Sequence, residues 1–167
     1  MVTMAAPAQQ IWDLVADVRN TGKFSPEVME AEWLDGATGP ALGARFRGHV
    51  KRNEIGPVYW TTCRVTACEP GREFGFEVLL GERPVNNWHY RFASVDGGTD
   101  VIESFRMTEG LFTTLFGLFG GQLRQRRNVR DMRKTLERIK ARWSESRHAG
   151  ANQGRRGSLS RPPPRVS

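Results

Sequence analysis

Cysteine is scarce in this chain of 167 residues, which carries only Cys63 and Cys68, both within CRVTAC. Five positions apart on one extended strand, they are expected to point to opposite faces, a poor geometry for a bridge. A disulfide-stapled secreted scaffold is therefore not expected, and reduced thiols in a cytosol fit best. Long apolar runs are missing too. Nothing approaches the roughly 18 to 20 uninterrupted apolar residues of a spanning helix, and MVTMAAPAQQ at the start has no basic segment followed by an apolar core. We expect a cytoplasmic protein. Histidine occurs three times and is scattered, and no HExxH, CxxC, GxSxG or phosphate-cradling GxxxxGK[ST] appears. GLFGG at 117–121 lacks the GK[ST] ending. No metal and no cofactor are expected.

Net basic charge is present, but only at one end. Residues 1–121 hold 11 Lys/Arg against 15 Asp/Glu, a net −4, while 122–146 hold 9 against 3 (+6) and 147–167 hold 5 against none (+5). The overall +7 therefore belongs to the last helix and the tail. Aromatic residues are not interleaved there as in base-stacking surfaces, so no specific nucleic-acid partner is expected. RHAGANQGRRGSLSRPPPRVS at 147–167 lacks periodic apolar positions and reads as a disordered basic tail behind a single domain at 1–146.

Hydrophobic period organises that domain. In AQQIWDLVADV (8–18) the residues Ile11, Trp12, Leu14, Val15 and Val18 form one helical stripe, and NTGKFSPEV (20–28) has room for one further helical turn. The period then becomes two. VMEAEWL (28–34), ARFRGHVKR (44–52), VYWTTCRVTACE (58–69), REFGFEVLLGE (72–82), VNNWHYRFASV (85–95) and TDVIESFRMTE (99–109) read as strands, separated by short Gly- and Pro-containing turns that favour antiparallel meander pairing over crossovers. Last comes a long amphipathic helix to about residue 146, its stripe formed by Val129, Met132, Leu136, Ile139 and Trp143.

A short helix, six antiparallel strands and a long closing helix resemble a START-like (SRPBCC) protein of the polyketide cyclase/dehydrase and lipid-transport branch. The resembling residues are APAQQIWDLVADV (6–18), FSPEVMEAEWLDG (24–36), GARFRG (43–48), WTTCRVTACEPGREFGFEV (60–78), WHYRF (88–92) and GGTDVIESF (97–105). The resemblance implies an α+β helix-grip fold: a curved antiparallel sheet of six to seven strands wrapped around a long C-terminal helix, with one or two short helices after the first strand. For that first strand MVTMA offers three or four residues.

In such a fold the inward side chains face the helix, and strand parity assigns them: Phe46, Gly48 and Val50; Tyr59, Thr61, Cys63 and Val65; Phe74, Phe76 and Val78; Trp88, Tyr90 and Phe92; Val101, Glu103, Phe105 and Met107. Val129, Met132 and Leu136 close the space from the helix. Period alone leaves open whether these residues fill a solid core or line a cavity; the resemblance implies a cavity. Glu103 stands out as an inward carboxylate, costly unless it meets a cation, donors or a ligand, and is a weak catalytic candidate. A one-residue bulge would instead turn it to solvent. His49 and His89 fall on the outer faces and are read as exposed.

Between the last strand and the closing helix lies GLFTTLFGLFGGQLRQRR (110–127). Three readings are open. Phe112, Phe116 and Phe119 form a gate hinged on glycines; the segment 111–127 touches a membrane surface transiently, with Arg124, Arg126 and Arg127 on anionic headgroups; or it is ordinary packing at an irregular helix start. The functional expectation is binding or transport of a small hydrophobic ligand such as a lipid, isoprenoid or polyketide-like molecule. A cyclase/dehydrase using the same pocket is the alternative, and a binder of anionic surfaces or nucleic acid through the basic end ranks last.

Overall fold

Connections shorter than the dozen or more residues a parallel crossover takes leave consecutive strands to turn back on their neighbours. The computed structural model describes residues 1–51, 58–108 and 134–141. Its elements are β1 (Val2–Met4), α1 (Ala8–Ala16), a 3-10 turn (Val18–Asn20), α2 (Thr21–Phe24), β2 (Val28–Trp33), β3 (Arg45–Lys51), β4 (Val58–Glu69), β5 (Glu73–Leu80), β6 (Arg83–Val95) and β7 (Gly98–Met107). One seven-stranded antiparallel sheet results, in the order β1-β7-β6-β5-β4-β3-β2. The β2–β7 meander runs in chain order, and β1 returns to pair with β7 through Val2 opposite Val101 and Met4 opposite Thr99. The six strands and the first helix of the sequence reading are present within a few residues, and the expected short opening strand is β1. Residues 134–141 are helical. The remainder of the expected closing helix, the tail and the apolar segment 110–127 lie outside the described residues.

Each helix is placed by its apolar stripe. α1 buries Ile11, Trp12, Val15 and Ala16, and these share one core with Phe46, Cys63, Val65, Phe74, Tyr90, Phe92 and Val101 of the sheet and with Leu136 and Ile139 of the 134–141 helix. The same sheet face thus receives both helices, as the layer argument demands. Trp12 ties α1 to the start of β5 by donating from Nε1 to the Glu73 carbonyl at 2.8 Å. Thr99 is sealed into the core because its hydroxyl donates to the Ala6 carbonyl at 2.7 Å. Arg138 of the 134–141 helix reaches the Ser25 carbonyl at the end of α2. Gly22 allows α2 and β2 to approach: a Cβ there would fall on the Met29 carbonyl oxygen.

One assignment by strand parity is overturned. The register of β4 against β5 shifts between Val65 and Ala67, so that Cys68 stands opposite Phe74 while Cys63 stands opposite Val78. A bulge adds one residue to one strand and inverts the parity beyond it. Cys68 consequently packs against the same core as Cys63 rather than pointing the other way, and both thiols are free.

Candidate functional site

The inward face can be read as successive cross-strand rows. Val101 and Phe92 form one, followed by Glu103, Tyr90, Phe74 and Cys68, then Phe105, Trp88, Phe76 and Val65. Beyond these lie Met107, Asn86, Val78, Cys63, Phe46 and Trp33, then Thr61, Gly48 and Ala31, and last Tyr59, Val50 and Val28. Burial is uneven along this series: on β2, β3 and β4 the residues Ala31, Phe46, Gly48, Cys63 and Val65 are buried. Phe92, Val101, Phe74, Tyr90 and Glu103 are buried beside α1, whereas Phe76, Val78, Asn86, Trp88, Phe105, Met107, Thr61 and Val50 are only half-buried. Tyr59, expected to line a pocket, is on the inward side by register but sits 37% exposed where β4 begins.

Aromatic rings dominate the middle rows. Trp88 and Phe105 lie with centroids 4.7 Å apart, Phe46 meets Phe76 edge-on at 5.2 Å, and Trp33 meets Phe46 edge-on at 5.6 Å. Polar atoms are few, and three are buried without a hydrogen-bond partner among the described residues: Glu103 Oε2, Asn86 Oδ1 and Trp33 Nε1. Such an atom costs about 1–3 kcal/mol if left unsatisfied.

Glu103 is the one carboxylate on this face among the described residues. The β6–β7 ladder is regular from Asn86 opposite Met107 to Val95 opposite Gly98, so no bulge turns the side chain outward. The Tyr90 hydroxyl donates to Glu103 Oε1 at 2.7 Å in a buried bond, and the residue is 8% exposed. Burial pushes the carboxyl from 4.5 to about 7, with the Tyr90 hydrogen bond and the positive chain terminus beside β1 pulling it only part of the way back. The Tyr90 phenol is raised by the same burial and by the neighbouring Glu103 charge. The pair can therefore hold or release one proton near neutrality, with one carboxyl oxygen uncommitted. Cys63 offers no nucleophile, since burial pushes its thiol to about 12.

Of the other residues expected at a pocket, Phe46, Val50, Thr61, Phe74, Phe76, Val78, Trp88, Tyr90, Phe92, Glu103 and Phe105 share this face, and Leu136 is buried against it. Val129, Met132 and the gate residues Phe112, Phe116 and Phe119 lie outside the described residues. His49 and His89 do face the other side, but each is half-buried rather than exposed: His49 stacks on Trp60 and meets Glu30, and His89 meets Glu73. The reading by parity passed over Asn86 and Trp33. Asn86 continues the alternation of Trp88, Tyr90 and Phe92, and the Tyr90–Glu103 pair follows from counting back from the two-residue turn Asp96-Gly97. Among the described residues no cluster of His, Cys, Asp and Glu could hold a metal, and no helix is long and apolar enough to cross a membrane.

A seven-stranded antiparallel sheet holding helices on one face defines an α+β protein of the helix-grip type. The chain belongs to the polyketide cyclase/dehydrase and lipid transport family, whose model matches residues 1–143. None of the curated proteins matches it. Among solved structures it is similar to a polyketide-cyclase-like protein of Corynebacterium glutamicum, at 27% identity over 88% of this chain and 91% of that one, with a TM-score of 0.56. A Deinococcus radiodurans protein superposes with a TM-score of 0.59 at 22% identity, over 84% of this chain and 91% of that one. The di-domain ARO/CYC StfQ from the steffimycin biosynthetic pathway superposes with a TM-score of 0.58 at 20% identity, over 84% of this chain and 42% of that one. These last two likenesses speak for the fold.

Proposed function

We propose that this protein binds a small hydrophobic molecule, of lipid, isoprenoid or polyketide-like kind, between the half-buried rows of the sheet and the closing helix, and carries or senses it. The observation that supports the reading is the accessibility of three aromatics on β5–β7: Phe76, Trp88 and Phe105 stay half-buried while Phe74, Tyr90 and Glu103 beside them are buried. A solid core would bury large aromatics throughout, whereas a face that receives a guest keeps them accessible. The family to which the chain belongs is described as acting on such molecules or transporting them. Native mass spectrometry of the purified protein, with solvent extraction, should reveal a co-purified apolar compound, and a fluorescent fatty-acid probe should bind and be displaced. A clean apo mass together with no probe binding would refute the reading.

A second reading, a cyclase/dehydrase-type enzyme using the same face, is favoured by one feature: a carboxyl poised near neutrality beside the aromatic row. General acid–base work needs such a group. Under that reading Glu103→Gln binds ligand normally and loses turnover; a variant with unchanged turnover removes Glu103 from the mechanism.

A further inference from the structure

Glu103 Oε2 is an expensive atom to leave as it stands. Its partner oxygen takes the Tyr90 hydroxyl proton, yet Oε2 is sealed from water with no partner among the described residues. Tyr90 accounts for one carboxyl oxygen only, and a buried polar atom normally has a partner, so the orphan oxygen points to a group that arrives from elsewhere. It stands next in register to the aromatic row, since Glu103 and Phe105 are successive inward residues of β7, about 7 Å apart along the strand, and Tyr90 and Trp88 repeat that step on β6.

Resting on the reading that this face takes an apolar guest, we infer that the guest carries a hydroxyl group that meets Glu103 Oε2, on a flat unsaturated body lying along Phe76, Trp88 and Phe105. Three considerations select this chemistry. The rings of Trp88 and Phe105 are tilted 55° to one another, offering both a face and an edge, to which planar unsaturated surface is best matched. A carboxyl that changes protonation near neutrality presents an acceptor in one form and a donor in the other. A ketone answers only the protonated form and an ammonium only the ionised one; a hydroxyl, both donor and acceptor, answers both. No positively charged side chain shares the inward rows, and the one cation acting on Glu103 is the more distant amino terminus, so an acidic ligand would meet the ionised Glu103 with little compensation among the described residues.

Four probes with one skeleton test this on the full chain: 2-naphthol, naphthalene, 2-acetylnaphthalene and 2-naphthylmethylamine, by equilibrium dialysis at about pH 6 and about pH 8, either side of the Glu103 transition. 2-Naphthol should bind about tenfold more tightly than naphthalene at both values, the worth of one buried hydrogen bond. Glu103→Gln, which keeps a donor and an acceptor, should retain that preference, and Glu103→Leu should abolish it while leaving naphthalene binding intact. The inference is overturned if the hydroxyl adds nothing, if its advantage survives Glu103→Leu, or if the ketone at the lower pH or the amine at the higher pH outcompetes 2-naphthol. Naphthalene binding without a hydroxyl preference sinks the anchor alone. Failure of all four probes sinks the apolar-guest reading as well. Should Glu103→Leu fold poorly, the pH series on the unaltered protein decides by itself.

Discussion

Glu103 makes stability depend on pH in a way that one substitution isolates. The folded carboxyl holds its proton up to about 7, against an ordinary 4.5 in the unfolded chain. Between those values the folded state carries a proton that the unfolded state has released, so stability falls as pH rises through the window. Below 4.5 both states are protonated and above about 7 both are ionised, and the contribution is level at either end. The gap of about 2.5 pH units corresponds to about 3 kcal/mol at about 1.4 kcal/mol per unit. Among the described residues the groups facing this carboxyl are the Tyr90 hydroxyl from β6 and, farther off, the amino terminus beside β1. Glu103→Gln is neutral throughout and should lack the dependence. Urea unfolding of both proteins from about pH 4.5 to 8 gives a difference curve in which all other titrations cancel. The variant should gain about 3 kcal/mol relative to the parent across that range. A difference curve flat to within about 0.5 kcal/mol would show that the carboxyl is not desolvated and would remove the basis of the site.

Four further outcomes are expected. Tyr90→Phe removes a hydrogen bond that favours the ionised carboxyl, so the midpoint of the same curve should move to higher pH; a downward move would contradict the pairing. Thiol labelling of the native protein should modify Cys68 slowly and Cys63 only on unfolding, because Cys63 is buried with its thiol pushed to about 12 while Cys68 is half-buried; equal rates at both would place Cys63 elsewhere. Gly22→Ala should cost several-fold more than Gly36→Ala: the first drives a Cβ onto the Met29 carbonyl, while the second has open space and bears only the roughly 1 kcal/mol strain of positive φ, a ranking that paired denaturation curves check. Phe74→Ala should destabilise by about 3–5 kcal/mol, as Phe74 is one of the largest fully buried side chains, and a loss below about 1 kcal/mol would mean that the α1 end of the sheet is loosely packed.

The comparison of sequence with structure turns on the range over which each signal acts. Alternation in WHYRF and in VIESF is a local property of extended chain, so Trp88, Tyr90 and Phe92, or Val101, Glu103 and Phe105, could be assigned to one face without knowing any neighbour. The tight turn Asp96-Gly97 even encodes which of these residues stand opposite one another. The bulge in β4 had no comparable signal, since Val65, Thr66 and Ala67 are ordinary strand residues, and parity continued through it sent Cys68 to the wrong side.

By itself, then, the sequence determined the strands, the helical stripe of α1 and most of the residues sharing the inward face, because these depend on periods of two and 3.6 that operate within a few positions. Only the tertiary structure decided that Glu103 is sealed with one oxygen bonded to Tyr90 and the other unpartnered, and that the aromatic row beside it stays half-buried. Burial and desolvation are sums over everything packed nearby, and α1, the sheet and the 134–141 helix contribute to them from distant parts of the chain.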